Sequence, residues 1–263
     1  MRLLCALLVA AAALGSTSEP AKKRRPLPYE YGRVVIDTYS EKAGLPAVVF
    51  DHWLHRAKYT CRLCHVDLGF AMKAGATDVK AQDNQKGFYC GACHNGRMSS
   101  SEGKLFASCD KPQRRESRPA CLRCHSQGRD VQPGIDFGAF TRDLPRGRFG
   151  NGIDWEKAEA AGQIQPLDFL EGVSIPRKPL AAQGDFALSP KVAGMPDIIF
   201  SHRKHTVWNG CELCHPEIFV GVRKGATHYT MVENFQGRYC GTCHSTVAFP
   251  MLDCQRCHIG PVK

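Results

Sequence analysis

Apolar and polar positions along this 263-residue chain alternate in short bursts rather than in long periodic stretches. One continuous apolar run occupies residues 3–14, between Arg2 and the small residues Gly15 to Ser18. It reads as a secretory signal peptide cleaved near Gly15 or Ser18, which would remove Cys5. Residues 33–37 and 47–50 are short β-like runs, and residues 197–200 repeat the second. The Gly- and Pro-rich stretch 126–193 holds one clear helical signal, residues 155–161, with Asp154 as N-cap and Gly162 as stop. No later run approaches the ~20 apolar residues that span a bilayer. Regular structure should be sparse: mainly irregular chain, short α-helices and minor β.

The sequence repeats itself. Gly44-Leu-Pro-Ala-Val-Val-Phe50 matches Gly194-Met-Pro-Asp-Ile-Ile-Phe200 at an offset of 150 residues. The same offset carries His52 to His202, His55 to His205, Cys61 to Cys211, Cys64 to Cys214 and His65 to His215. It still holds where Tyr89-Cys90-Gly91 becomes Tyr239-Cys240-Gly241. A third pair of signatures, Cys121–His125 and Cys254–His258, is offset by 133, so the first copy carries 17 extra residues. That insertion, residues 98–120, reads as a surface loop. A linker as long as 126–193 is not expected to be featureless, so it should wrap across both copies.

Twelve of the fourteen cysteines form six C-x-x-C pairs, each followed directly by histidine. The pairs are Cys61/Cys64, Cys90/Cys93, Cys121/Cys124, Cys211/Cys214, Cys240/Cys243 and Cys254/Cys257. C-x-x-C-H is the attachment signature of c-type haem: two thiols add to the vinyl groups and the next imidazole lies under the iron. Zinc sites and redox disulfides do not require a histidine after every second cysteine. The expected cofactors are therefore six covalently bound haem c groups, with His65, His94, His125, His215, His244 and His258 as proximal ligands. Five histidines remain: His52, His55, His202, His205 and His228. The two H-x-x-H pairs are candidate distal ligands, and five spare histidines cannot cap six irons. Cys109 is a leftover thiol, read as a free surface cysteine.

The formal charge of +10 points at first to nucleic acid or an anionic membrane. Loss of Arg2 with the signal peptide, twelve propionates and six ferric centres change it to roughly +3 oxidised and roughly −3 reduced. No nucleic-acid motif accompanies the Lys22–Arg25 run, which reads as a solvated tail.

These motifs resemble the class III multihaem c-type cytochromes, specifically the small triple-haem c-seven type, here duplicated. The resemblance rests on Phe50-Asp-His52-Trp-Leu-His55, on Cys90-Gly-Ala-Cys93-His94-Asn-Gly96, and on their copies from Phe200 and Cys240, and it covers residues 44–125 and 194–258. It implies a multihaem cytochrome c fold of two tandem triple-haem modules with a haem-filled core. The expected layout is a signal peptide at 1–18, an N-terminal arm at 19–43, modules at 44–125 and 194–263, and a connector at 126–193. It also implies that His52 faces His65, His55 faces His94, His202 faces His215 and His205 faces His244. For the third haem of each module it points to Met72 opposite His125 and Met231 opposite His258, with His228 as rival; a methionine there reads equally well as packing.

The functional expectation is electron transfer between haems in respiratory or extracellular electron transport. The protein would be exported to the periplasm or cell exterior, would not span a membrane, and would meet redox partner proteins or extracellular acceptors. An enzyme is the minority reading, a multihaem reductase with one open coordination site; a subunit of a haem filament is a third, and the repeats permit oligomerisation.

Overall fold

The computed structural model describes residues 26–100, 103–109, 121–126, 135–178, 181, 184–221 and 223–261. The signal peptide, the basic run and parts of the insertion and connector lie outside them.

Each copy of the repeat begins with a two-stranded antiparallel hairpin that feeds straight into a helix. β1 (Arg33–Ile36) pairs with β2 (Val48–Asp51) in the register Arg33↔Asp51 to Ile36↔Val48. β2 runs without a loop into α1 (His52–Arg56). In the second copy the equivalent strands, numbered β5 and β6 in chain order, are Phe186–Leu188 and Ile198–Phe200, paired Phe186↔Phe200 to Leu188↔Ile198. The helix that follows, α6, spans His202–Asn209, with the Ser201 hydroxyl capping Lys204 N–H. β1, β2 and β6 are rich in Val and Ile because a pleated, half-buried surface suits branched side chains. The first strand of each hairpin lies upstream of the stretch where sequence identity between the copies begins.

Between the first and second signatures each copy holds one more short helix. These are α2 (Ala81–Gln85) and, in the second copy, α7 (Met231–Phe235). Only α7 has a full capping box, Thr230 with Glu233. The signatures themselves form single turns: α3 (Cys90–Cys93), a π-turn at Leu63–Asp67, and 3-10 turns at Tyr239–Thr242 and Cys254–Arg256.

The insertion is not a bare loop in its described part. β3 (Ser99–Ser100) and β4 (Gly103–Lys104) make a small hairpin, and the chain then returns so that Phe106 lies on the His94 ring at 4.4 Å. Among the described connector residues, α4 covers Phe137–Phe140 and α5 covers Trp155–Ala160. α5 is capped by Asp154, which accepts from Lys157 N–H, and closes at Gly162 with φ +69°, as its residues predict.

Aliphatic core is small, but the connector supplies more of it than composition implies. Trp53 and Ala57 of α1, Trp208 of α6, and Leu144, Ile153, Trp155, Ala158 and Ile164 of the connector form one buried cluster. Burying each large apolar side chain is worth about 1.5–3 kcal/mol, so this cluster ties three separated segments together. Polar clamps reinforce it. Leu167 exchanges backbone hydrogen bonds with Lys58 and Thr60. Arg177 binds Asp67 in the first copy and Glu212 in the second, both at 2.7 Å. Arg256 and Lys204 meet Glu156 at 3.2 and 2.6 Å. Among the described residues no helix is long and apolar enough to cross a membrane.

Candidate haem sites

The strand-to-helix junction explains how the H-x-x-H pair is presented. Residues three apart on a helix share a face, so α1 projects His52 and His55 from one side of its first turn. Phe50, the last inward residue of β2, packs between them, 4.8 Å from the His52 ring and 4.5 Å from the His55 ring. Phe200 does the same for His202 at 5.0 Å and His205 at 4.4 Å.

Three pairs of imidazoles then stand opposite one another, the first nearly parallel at 7° and the other two inclined at 61° and 63°. The His52 and His65 centroids are 6.4 Å apart, those of His55 and His94 6.3 Å, and those of His205 and His244 6.1 Å. Two imidazoles on opposite faces of one metal, bound through bonds of about 2 Å, place their ring centres about 6.3 Å apart. The donor set therefore fits an iron carrying two histidines. Residues of the fourth implied pair are arranged differently: His202 meets Phe186 and Phe200 at 5.3 and 5.0 Å rather than the His215 ring.

The orientation of each ring is set by its other nitrogen. His65 Nδ1 lies 2.8 Å from the Phe70 carbonyl, His215 Nδ1 2.7 Å from that of Phe219, and His244 Nδ1 3.1 Å from that of Phe249. His125 and His258 use the carbonyls of Pro46 and Pro196 at 2.8 and 2.9 Å. In the H-x-x-H pairs His52 uses Gly32, His202 uses Gly184 and His205 uses Ser201, at 2.5, 3.4 and 2.7 Å. A carbonyl can only accept, so Nδ1 carries the proton and Nε2 keeps its lone pair for a metal. His55 and His94 feel the Asp51 and Phe106 carbonyls in the same sense, although their Nδ1 atoms close no hydrogen bond of standard geometry.

Burial favours the neutral form of six of these rings. It pushes His52 and His244 down to about 4 and His55 down to about 3, and it lowers His65, His94 and His205 as well. Burial also pushes the Cys64, Cys90 and Cys243 thiols up to about 12. Cys124, Cys214 and Cys240 rise to about 11 for the same reason. Every described cysteine is unpaired. Among the described residues no three His, Cys, Asp or Glu side chains converge as a zinc site would require.

The third signatures are built on the hairpins. Val49 N–H donates to the Cys124 carbonyl and Ile199 N–H to that of Cys257, so His125 and His258 dock beside β2 and β6. The residues named for their far side are not gathered there. Met231 opens α7 with its side chain 40% exposed and its sulfur 3.8 Å from Asn234 Nδ2, His228 is exposed, and Met72 is half-buried in a loop. No hydrogen bond or ring contact joins any of the three to His125 or His258 among the described residues. Cys109 accepts from Asn84 Nδ2 at 3.6 Å, close to Cys90 and Cys124.

Several parts of the site are additional to the expected ligands. Gly91 and Gly241, inside the second signatures, lie against the carbonyls of Asn84 and Asn234: an added Cβ would stand 1.8 and 1.7 Å from those oxygens. Tyr89 and Tyr239 just before them both take φ +49°, a conformation costing roughly 1–3 kcal/mol. Asn84 and Asn234 share the 150-residue offset, so their repetition was a readable signal. Phe249 stands over His244 at 4.3 Å as Phe106 stands over His94, and Arg256 and Arg123 cover those phenyl rings at 4.5 and 5.1 Å.

A family model described as cytochrome c7 and related cytochrome c matches residues 48–127 and 198–259, more than half of the chain. The chain belongs to this family. It is a multihaem c-type cytochrome, and the family implies covalently bound haem c. Among solved structures, a c7-type three-haem cytochrome domain is 33% identical over 29% of this cytochrome and 93% of that domain, with a TM-score of 0.27. The C-terminal hexahaem fragment of GSU1996 is 24% identical over 86% of this chain and 96% of the fragment, with a TM-score of 0.26. The dodecahaem cytochrome c GSU1996 is 26% identical over 88% of this chain and 75% of its own, with a TM-score of 0.27. No curated protein matches the cytochrome.

Proposed function

We propose that this cytochrome is an exported hexahaem electron carrier of respiratory or extracellular electron transport. In this reading residues 1–18 are the signal peptide, 44–125 and 194–263 are triple-haem modules, and 126–193 is the connector between them. Haem supplies a one-electron iron couple. The chain anchors it through the six cysteine pairs, orients it through the carbonyl-bound proximal histidines, and closes both faces where a distal histidine stands opposite.

The observation that carries the reading is the set of three imidazole pairs, 6.1 to 6.4 Å apart, in which four of the six rings turn Nδ1 to a backbone carbonyl. A metal held on both faces leaves no position for substrate, which favours carrying electrons over chemistry on a bound molecule. His202 opposite His215 completes the series by the repeat. Met72, Met231 and His228 stay as candidates for the third sites. The thiols are neighbours in a chain of sites: Cys124 beside Cys90, Cys90 beside Cys64, Cys61 beside Cys214 and Cys243, Cys240 beside Cys257. That order supports reading the six sites as one relay.

Intact mass of the mature protein combined with low-temperature EPR tests this reading. Six porphyrin additions and mainly low-spin ferric signals are expected, whereas predominantly high-spin iron or fewer additions defeats it. A second reading has one observation in its favour: no ring faces His125 or His258 among the described residues, which is where a reductase would keep an open site. Carbon monoxide binding to the reduced protein separates the two, since a closed relay binds none.

A further inference from the structure

Two arginines are placed where the two halves of the molecule meet, and they differ in how their charge is balanced. Arg62 is only 2% exposed in its side chain and is neutralised by Asp67 at 3.5 Å and Asp168 at 2.7 Å. Arg56, the last residue of α1, has no carboxylate partner among the described residues. Its guanidinium lies between the Trp155 and Trp208 rings, 5.2 Å from each centroid. One terminal nitrogen donates to the Val247 carbonyl at 2.5 Å. Its Nε is shielded from solvent and has no hydrogen-bond partner among the described residues. The nearby carboxylates of Asp154 and Glu156 are engaged by Arg256 and Lys204 instead.

This charge, which no described protein carboxylate pairs, lies within electrostatic reach of His52 and Cys61 in the first copy and of Cys243 and His244 in the second. Those residues belong to two different C-x-x-C-H sites, one from each half. At the offset of 150 the second copy has Thr206 in the place of Arg56, so the charge occurs once, at the junction. Guanidinium stays protonated at any working pH, and in a site walled by indole rings its field is weakly screened.

We infer that Arg56 is the fixed cation of the crossing between the two halves, and that it raises the reduction potential of the haem sites at Cys61/Cys64 and Cys240/Cys243. The inference rests on the haem reading above. An added electron at either site is attracted to the guanidinium, whereas the oxidised site is repelled by it. The transfer itself is one electron from the reduced site on one side to the oxidised site on the other, with no bond made and no proton moved. The crossing is thereby biased to fill early, so that the two halves remain in redox contact when only part of the relay is reduced.

The test is a redox titration of the holo-cytochrome followed site by site through the haem methyl resonances. In the parent protein the Cys240/Cys243 site reduces before the Cys90/Cys93 site, its repeat counterpart. R56Q lowers the midpoints at Cys61/Cys64 and Cys240/Cys243 about tenfold in the one-electron equilibrium, about 59 mV, and moves the other four far less. R56K, which keeps the charge, retains the parent order, and K157Q at an exposed lysine changes nothing. Uniform shifts, no shift in R56Q, or loss of the parent order in R56K overturns the inference. Intact mass and low-spin spectra on the same samples report separately on the haem reading, because a missing porphyrin counts against that reading and not against the role of Arg56.

Discussion

The imidazole rings of His52 and His65 lie parallel, 7° apart in plane, with their centroids separated by 6.4 Å. They come from different elements, the first turn of α1 and the turn that closes the first signature. Each is held from behind by a backbone carbonyl, Gly32 for one and Phe70 for the other. Two rings locked at that spacing, with no side chain of their own between them, form a slot whose floor and roof both offer a nitrogen lone pair. The strand β1 is what fixes the roof, since Gly32 immediately precedes it.

The most direct consequence concerns His55. Replacing it with alanine removes one face of the His55–His94 slot and leaves the other slots intact. EPR of H55A is expected to convert one haem from low-spin to high-spin, with the remaining signals unchanged. H55M is expected to restore low-spin iron at that site with a raised potential, because thioether ligation favours the reduced metal. An EPR spectrum of H55A indistinguishable from the parent's would remove His55 from the ligand set.

Gly91 and Gly241 lead to a second expectation. A Cβ at either position meets a backbone oxygen, which cannot rotate out of the way. G91A and G241A should each destabilise by about 1–3 kcal/mol, as overpacking against a fixed neighbour does, with the loss read from denaturant midpoints. G184A is the control, because nothing lies within 4 Å of its added Cβ and its φ is not positive. Equal midpoints for all three variants would contradict this account of the second signatures.

The contrast between these residues also shows what a single sequence can reveal. The attachment signatures, the 150-residue offset, β2 and the Asp154-capped helix were legible because each is written locally, as a spacing, an alternation or a cap. The first strand of the second hairpin was not: Phe186-Ala-Leu188 has no likeness to Arg33-Val-Val-Ile36, and it forms because Phe200 needs a neighbour, which Phe186 supplies at 5.4 Å. Trp155 and Trp208 come together only in the fold, from segments 53 residues apart. Arg56 between them looked like an ordinary charge at a helix end. The third sites remained ambiguous for a related reason. Met72, Met231 and His228 are residues of the right type in the right segment, yet residue type alone does not bring them to His125 or His258.

Arg62 carries a third expectation. It joins the first signature to Asp67 of the same copy and to Asp168 of the connector, with its side chain and that of Asp67 only 2% and 4% exposed. Removing one partner of a buried pair costs about 3–5 kcal/mol where it leaves a charge without compensation, and here Arg177 still faces Asp67 at 2.7 Å. R62A should therefore lower the unfolding free energy by less than that, through the lost buried contacts to Asp67 and Asp168. D168N should cost less, since the Asp168 side chain is 56% exposed and Asp67 still faces Arg62. Thermal or denaturant unfolding of the two variants checks the ranking, and the reverse order would mean that the connector contact, not the buried charge, dominates.

The buried histidines make stability depend on pH with a definite sign. His52 and His244 are held at about 4 and His55 at about 3, against about 6.5 in the unfolded chain. Above pH ~6.5 these groups are neutral in both states and cost nothing. As pH falls below that value the unfolded chain takes up protons that the folded one refuses, so stability declines until the folded values near 4 and 3 are passed. The loss is of order 3 kcal/mol for each such histidine. Metal ligation acts in the same direction, because proton and metal compete for Nε2. Urea midpoints measured from pH 7 to pH 4 should fall continuously, with a slope at its steepest between one and three protons. A midpoint flat across that range would mean that these imidazoles are reached by water and are free to protonate in the folded protein.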